Sequence, residues 1–71
     1  MLYLFESTHL VIRAEKIGRE NKILLKIIPV PRHISSQCGM AIELEPKESE
    51  RLKIILEREG VPFVLHQNTH D

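Results

Sequence analysis

A mixed α+β domain with the element order βαββαβ is what this sequence predicts, and three observations carry it. Two segments, one from His9 to about Asn21 and one from Lys47 to Glu59, repeat apolar residues at helical spacing. Four short apolar runs flank them in the order strand, helix, strand, strand, helix, strand. The breaks fall at Asn21, Pro29, Gly39, Pro46 and Gly60, residue types that end or start elements for stated backbone reasons.

Each element has its own warrant. Leu2-Tyr3-Leu4-Phe5 is unbroken and apolar, which suits a strand buried on both faces. Ser7 or Thr8 supplies the oxygen that caps a helix, whose inner stripe is Leu10, Val11, Ala14, Ile17 and Gly18 and whose outer side carries Arg13, Glu15, Lys16, Arg19 and Glu20. Ile23 to Ile28 is rich in β-branched residues and closes at Pro29, giving a second strand. After a proline-led loop, Met40, Ile42 and Leu44 alternate with Ala41, Glu43 and Glu45, the period of a strand with one face toward a core. Pro46 suits a first helical turn, Leu52, Ile54, Ile55 and Leu56 supply the apolar positions that follow, and Gly60 stops the helix. Val61 to Leu65 reads as a last strand, placed at an edge because Pro62 cannot donate to a ladder. The tail from Gln67 to Asp71 is expected to fray.

This order is the split-βαβ, ferredoxin-like arrangement, a four-stranded antiparallel sheet with both helices on one face, and residues 1–71 are read as a single domain. Leu24 beside Leu25, Ile27 beside Ile28 and Val64 beside Leu65 put apolar groups on both faces of their strands. The face without helices is therefore expected to pack against a second copy, as a homodimer. Small size points the same way, since a chain of about this length buries only about 60% of its unfolded surface.

Ten Lys plus Arg balance ten Asp plus Glu, and the two signs are interleaved. Phosphate binding needs a concentrated basic surface, so nucleic acid is excluded as the expected partner. Leu2 to Phe5 is followed at once by Glu6 and lacks a basic leader, and Ile23 to Val30 is too short to cross a bilayer, so a soluble, cytoplasmic protein without membrane contact is expected. The histidines His9, His33, His66 and His70 have no zinc-type spacing, and neither a metal nor another cofactor is expected.

Cys38 is the sole cysteine, so it has no internal disulfide partner. It follows a polar loop, Pro29-Val30-Pro31-Arg32-His33-Ile34-Ser35-Ser36-Gln37, and precedes Gly39, which lets a strand begin and a ligand approach the backbone. In a βαββαβ sheet the end of the first strand and the connection between the second and third lie together. Ser7, Thr8 and His9 are thus expected to face the Cys38 loop, where a helix N-terminus, Arg32 and either Arg13 or His33 would favour a thiolate. His66 and His70 are expected at the opposite end. The competing reading is an inert, small apolar residue, the commoner fate of a lone cysteine.

Phe5-Glu6-Ser7-Thr8-His9, Arg13-Ala14-Glu15-Lys16, Pro29-Val30-Pro31-Arg32 and the segment Ile34-Ser35-Ser36 with Cys38-Gly39 together resemble a family of short bacterial proteins described as selenium/sulfur carrier-like. The likeness runs from about Leu2 to Leu65, with the Pro-Arg…Ser-Ser-x-Cys-Gly segment its most specific part. Glu6 departs from the small residue or proline expected before Ser-Thr-His. The resemblance implies that Cys38 holds the cargo sulfur or selenium and that Arg32, Ser35, Ser36 and Gly39 shape its site.

The expected function is accordingly that of a non-enzymatic carrier. Its Cys38 thiolate takes sulfur from a donor persulfide, or captures reduced selenium, and passes it to an acceptor enzyme. The alternative is a sensing or interaction module that binds a small anion or thiol metabolite non-covalently at the same place. A thiol-dependent enzyme ranks last, because no general base beyond His9 or His33 stands out.

Overall fold

A computed structural model gives the fold and describes residues 1–31, 33–34 and 38–66. Its elements are β1 (Leu2–Leu4), α1 (Thr8–Glu20), β2 (Lys26–Pro29), β3 (Met40–Glu43), α2 (Pro46–Glu59) and β4 (Val64–His66). The strands form one sheet in the order β2-β3-β1-β4, antiparallel throughout. Both helices pack on the same face, which is the ferredoxin-like α+β arrangement that the element order predicts.

Capping sets the helix limits. Ser7 is extended, and its Oγ accepts the Leu10 N–H at 3.3 Å, so α1 starts at Thr8. Pro46 opens α2, where its missing N–H is no loss, and Gly60 closes it in the left-handed region at φ 73°. The two helices run antiparallel and touch at their ends: Arg51 donates to the Asn21 carbonyl at 3.0 Å and Arg13 to the Glu59 carbonyl at 3.5 Å. Each guanidinium thus meets main-chain oxygens at or next to the negative end of the other helix.

Strand limits differ from the expected ones for a common reason. The Ile23 N–H returns to the Gly18 carbonyl and the Val61 N–H to the Leu56 carbonyl, each at 2.9 Å. Both residues therefore finish a helix, and both are buried there, so β2 begins only at Lys26 and β4 only at Val64. β4 is an edge strand as expected, but Pro62 precedes its ladder and does not lie in it. β3 ends at Glu43; beyond it Leu44 and Met1 exchange two main-chain bonds at 3.2 Å. Ile54, expected in the inner stripe of α2, is exposed, while Leu52 and Leu56 are fully buried. The expected fraying of 67–71 lies outside the described residues.

Pairing register assigns every strand residue a face, because residues directly opposite one another share one. Tyr3, Ile42 and Ile27 form a row toward the helices and join Phe5, Val11, Ala14, Leu52 and Leu56 in the main core. Leu2, Leu4, Ala41, Ile28 and Val64 lie on the other face. Part of that face is covered within the chain itself. Leu2, Leu4 and Ala41 are buried within the single chain, and Ile28, Val30 and Ile34 pack against them. Val30 and Ile34, from the connection between β2 and β3, therefore cover part of the face that the sequence leaves to a second copy.

Tyr3 anchors the main core. It is fully buried, its ring lies 5.0 Å from that of Phe63, and its hydroxyl meets the Ser49 carbonyl at 2.8 Å and the Ser49 Oγ at 2.9 Å. Burial pushes the phenol above its ordinary value of 10.0; the hydrogen bond with Ser49 opposes this, and the carboxylates of Glu50 and Glu57 add to it. Tyr3→Phe is expected to cost about 1–2 kcal/mol in urea unfolding at neutral pH, since it strips the buried Ser49 hydroxyl of its partner. The raised folded value means that the unfolded chain releases its proton first. The contribution is complete below about pH 10 and is lost as pH rises through the folded value. Tyr3 is the only tyrosine and there is no tryptophan, so tyrosinate absorbance isolates this group. It should appear at higher pH in the native protein than in urea; coincident titrations would disprove the burial effect.

Candidate functional site

Register brings the candidate residues to one end of the sheet. Pro29 pairs with Met40, and Leu4 pairs with both Ala41 and Val64, so β1 ends, β3 begins and β4 begins side by side. The N-terminus of α1, the C-terminus of α2 and the Cys38 loop consequently share this end. His66 pairs with Leu2 at the opposite end, as expected. His70 lies outside the described residues.

The loop closes at its base through the Val30 N–H, which donates to the Gly39 carbonyl at 3.1 Å. Gly39 has φ 75°, and among the described residues beyond its chain neighbours no atom would lie within 4 Å of a Cβ there. The glycine is needed for its backbone angle and not for space. The turn at Gly39 folds the Cys38 side chain over the next peptide. Its Sγ donates to the Met40 carbonyl at 3.0 Å and accepts the Met40 N–H at 3.4 Å.

Cys38 is half-buried, and it packs against the helix-side apolar cluster together with Met40 and Leu10. Beside the polar surroundings expected from its sequence neighbours, it therefore has apolar ones on the helix side. One side of the sulfur meets core residues and another meets main chain. The Met40 peptide groups were not foreseeable as part of this site, because main-chain donors leave no side-chain signature; the glycine before a strand start was the available hint.

Ser7, Thr8 and His9 are exposed at the start of α1, at the same end as Cys38, and the Ser7 hydroxyl serves the helix cap. His33 is exposed in the loop, and Arg13 reaches the C-terminus of α2. Arg32, Ser35 and Ser36 lie outside the described residues. Among the described residues no three His, Cys, Asp or Glu side chains are grouped to hold a metal, and no helix is long and apolar enough to cross a membrane. A groove of about 560 Å³, lined by Leu24, Lys26, Glu43, Lys47 and Glu48 among others, opens at the far end of the sheet, away from the thiol.

Gly39→Ala is expected to cost about 1–2 kcal/mol, from the left-handed backbone alone, and Gly39→Asn less, because asparagine tolerates that region. Urea unfolding measures both. An alanine variant as stable as the wild type would mean that the turn before β3 does not require the positive φ.

No curated protein and no solved structure matches the chain. A family model described as "Putative Se/S carrier protein-like" matches residues 1–64, a stretch that includes all of β1 through α2, the capped start of α1 and the Cys38 turn. The chain belongs to this Se/S carrier protein-like family.

Proposed function

We propose that this protein carries sulfur or selenium as a persulfide on Cys38 and hands it from a donor protein to an acceptor enzyme. The observation that carries this reading is the position of the chain's only thiol, within the stretch that the family model matches. Cys38 stands half-exposed at a sheet end, with the Met40 N–H on its sulfur. The Met40 N–H, at 3.4 Å, is a main-chain donor already directed at that sulfur.

The transfer balances without an oxidant. The Cys38 thiolate attacks the terminal sulfur of a donor persulfide; an S–S bond forms on Cys38, the donor's S–S bond breaks, and the donor leaves as a thiolate. Attack by an acceptor thiolate reverses the process on the other side. Selenium enters by the same exchange from a donor selenopersulfide. A single thiol suits the task, because a second one nearby would displace the cargo and close a disulfide. Such a protein belongs in a reducing compartment such as the cytoplasm.

Arg32 is assigned to pairing with the anionic persulfide, Ser35 and Ser36 to hydroxyl contacts, and Ser7, Thr8 and His9 to the neighbouring rim. A homodimer across the sheet face without helices would use Val64, which stays exposed there. Light scattering at micromolar concentration checks this, and a monomer would remove it.

Intact-mass spectrometry after incubation with a persulfide donor tests the carrier reading. The wild type should gain one sulfur, and Cys38→Ala should stay folded and gain none. A wild type that gains no sulfur from any of several donors, while its thiol remains alkylatable, sinks the proposal.

A further inference from the structure

Register decides which main-chain groups stay open at the two edges of the sheet. Met1 and Leu44 exchange main-chain bonds, so in β1 the odd-numbered residues turn their N–H and C=O groups toward β3 and the even-numbered ones toward β4. Leu2 and Leu4 thus bond to His66 and Val64, and the intervening Leu65 turns its N–H and C=O outward, where no further strand lies among the described residues. Phe63, two residues earlier, makes no main-chain bond among the described residues either.

The opposite edge is closed by its own sequence. The Val30 N–H reaches Gly39 across the β2–β3 pairing, so Ile28 and Lys26 turn to β3 while Ile27 and Pro29 face outward. Pro29 has no N–H to give, and the exposed Lys26 sets a charge on the same strand, two devices that discourage strand addition. β4 has neither, since Pro62 stands outside its ladder.

Its side chains are unguarded too. Val64 is 62% exposed on the helix-free face and Leu65 36% exposed on the helix side. Open main-chain groups between apolar side chains suit a partner that is itself an extended apolar strand. A second β4 is one. Two such strands, antiparallel about a two-fold axis at Val64, pair Leu65 with the partner's Phe63 in both directions, and each pair exchanges main-chain bonds. Val64 then meets the partner's Val64 at a position without main-chain bonds, where opposed side chains come closest. Apolar groups meet apolar groups on both faces, and no residue outside 63–65 is needed. Val30 and Ile34 already occupy part of the helix-free face, whereas this edge is uncovered by any described residue.

We infer that a second copy of this chain joins at the free edge of β4, antiparallel about a two-fold axis at Val64, so that one sheet continues through both chains. Pairing stops at two, because the β2 edge is blocked. This mode differs from stacking on the helix-free face, and it stands whether or not Cys38 carries sulfur.

Sedimentation equilibrium of the full-length protein between about 10 μM and 1 mM, the range in which a small interface associates, tests it. A concentration-dependent dimer is expected. Val64→Lys sets like charges opposite one another and should raise the dimerisation midpoint at least about ten-fold, as should Val64→Glu; an equimolar mixture of the two should return it to within about three-fold of the wild type. Leu65→Pro removes an outward N–H that the chain's own ladder does not use and should abolish the dimer. Urea unfolding verifies that each variant is folded, and if Leu65→Pro is not, the Val64 variants decide. A wild type that stays monomeric throughout overturns the inference. A dimer that survives a folded Leu65→Pro overturns it in favour of another surface, and a mixture of Val64 variants that stays monomeric removes the axis at Val64 and the inference with it.

Discussion

Tyr3 is fully buried at the centre of the sheet, and its hydroxyl reaches both polar atoms that Ser49 offers from α2. Burying a phenol without partners would cost more than its ring contributes, so the side chain demands that α2 lie at one height and rotation above β1. Phe63 against the same ring brings the approach to β4 into this arrangement. Central position multiplies the effect, because β1 pairs with β3 on one side and β4 on the other. Whatever locates Tyr3 also locates the start of β3, and with it the turn that carries the thiol.

The two faces of the sheet are closed by different means. Helices cover one, over a core that runs from Tyr3 to Val61. Loop residues cover part of the other, where Val30 and Ile34 sit on Leu2, Leu4 and Ala41. A short chain has few elements to spare, and using a connection as a lining recovers apolar burial that would otherwise need a partner. Val30 and Ile34 line that face, and Cys38, from the same connection, packs on the helix side.

Much of this was legible in sequence. The helical stripe of Val11, Ala14 and Gly18, the cap at Ser7, the proline at Pro46 and the stop at Gly60 each act through local backbone physics and fall where that physics puts them. The strand starts were less legible. Ile23 and Val61 look like strand residues by type but send their N–H groups back into the preceding helices, a choice made by capping and invisible to side-chain pattern. At the candidate site, the identity of the thiol and the end of the sheet it occupies followed from one cysteine and one topology. Its apolar contacts on the helix side did not, because they come from residues distant in the chain.

By itself the sequence determined the order of elements, the family and the sole thiol, since spacing, caps and cysteine count are properties of neighbours along the chain. Tertiary structure decided what stands against what. It placed Ile34 and Cys38 on opposite faces, set Val30 and Ile34 on part of a surface that looked reserved for a second copy, and put the Met40 peptide on the sulfur. These outcomes depend on register and on the left-handed turn at Gly39. A single step in register or one change of backbone angle would send the same residues to the other face, and no local pattern records that choice.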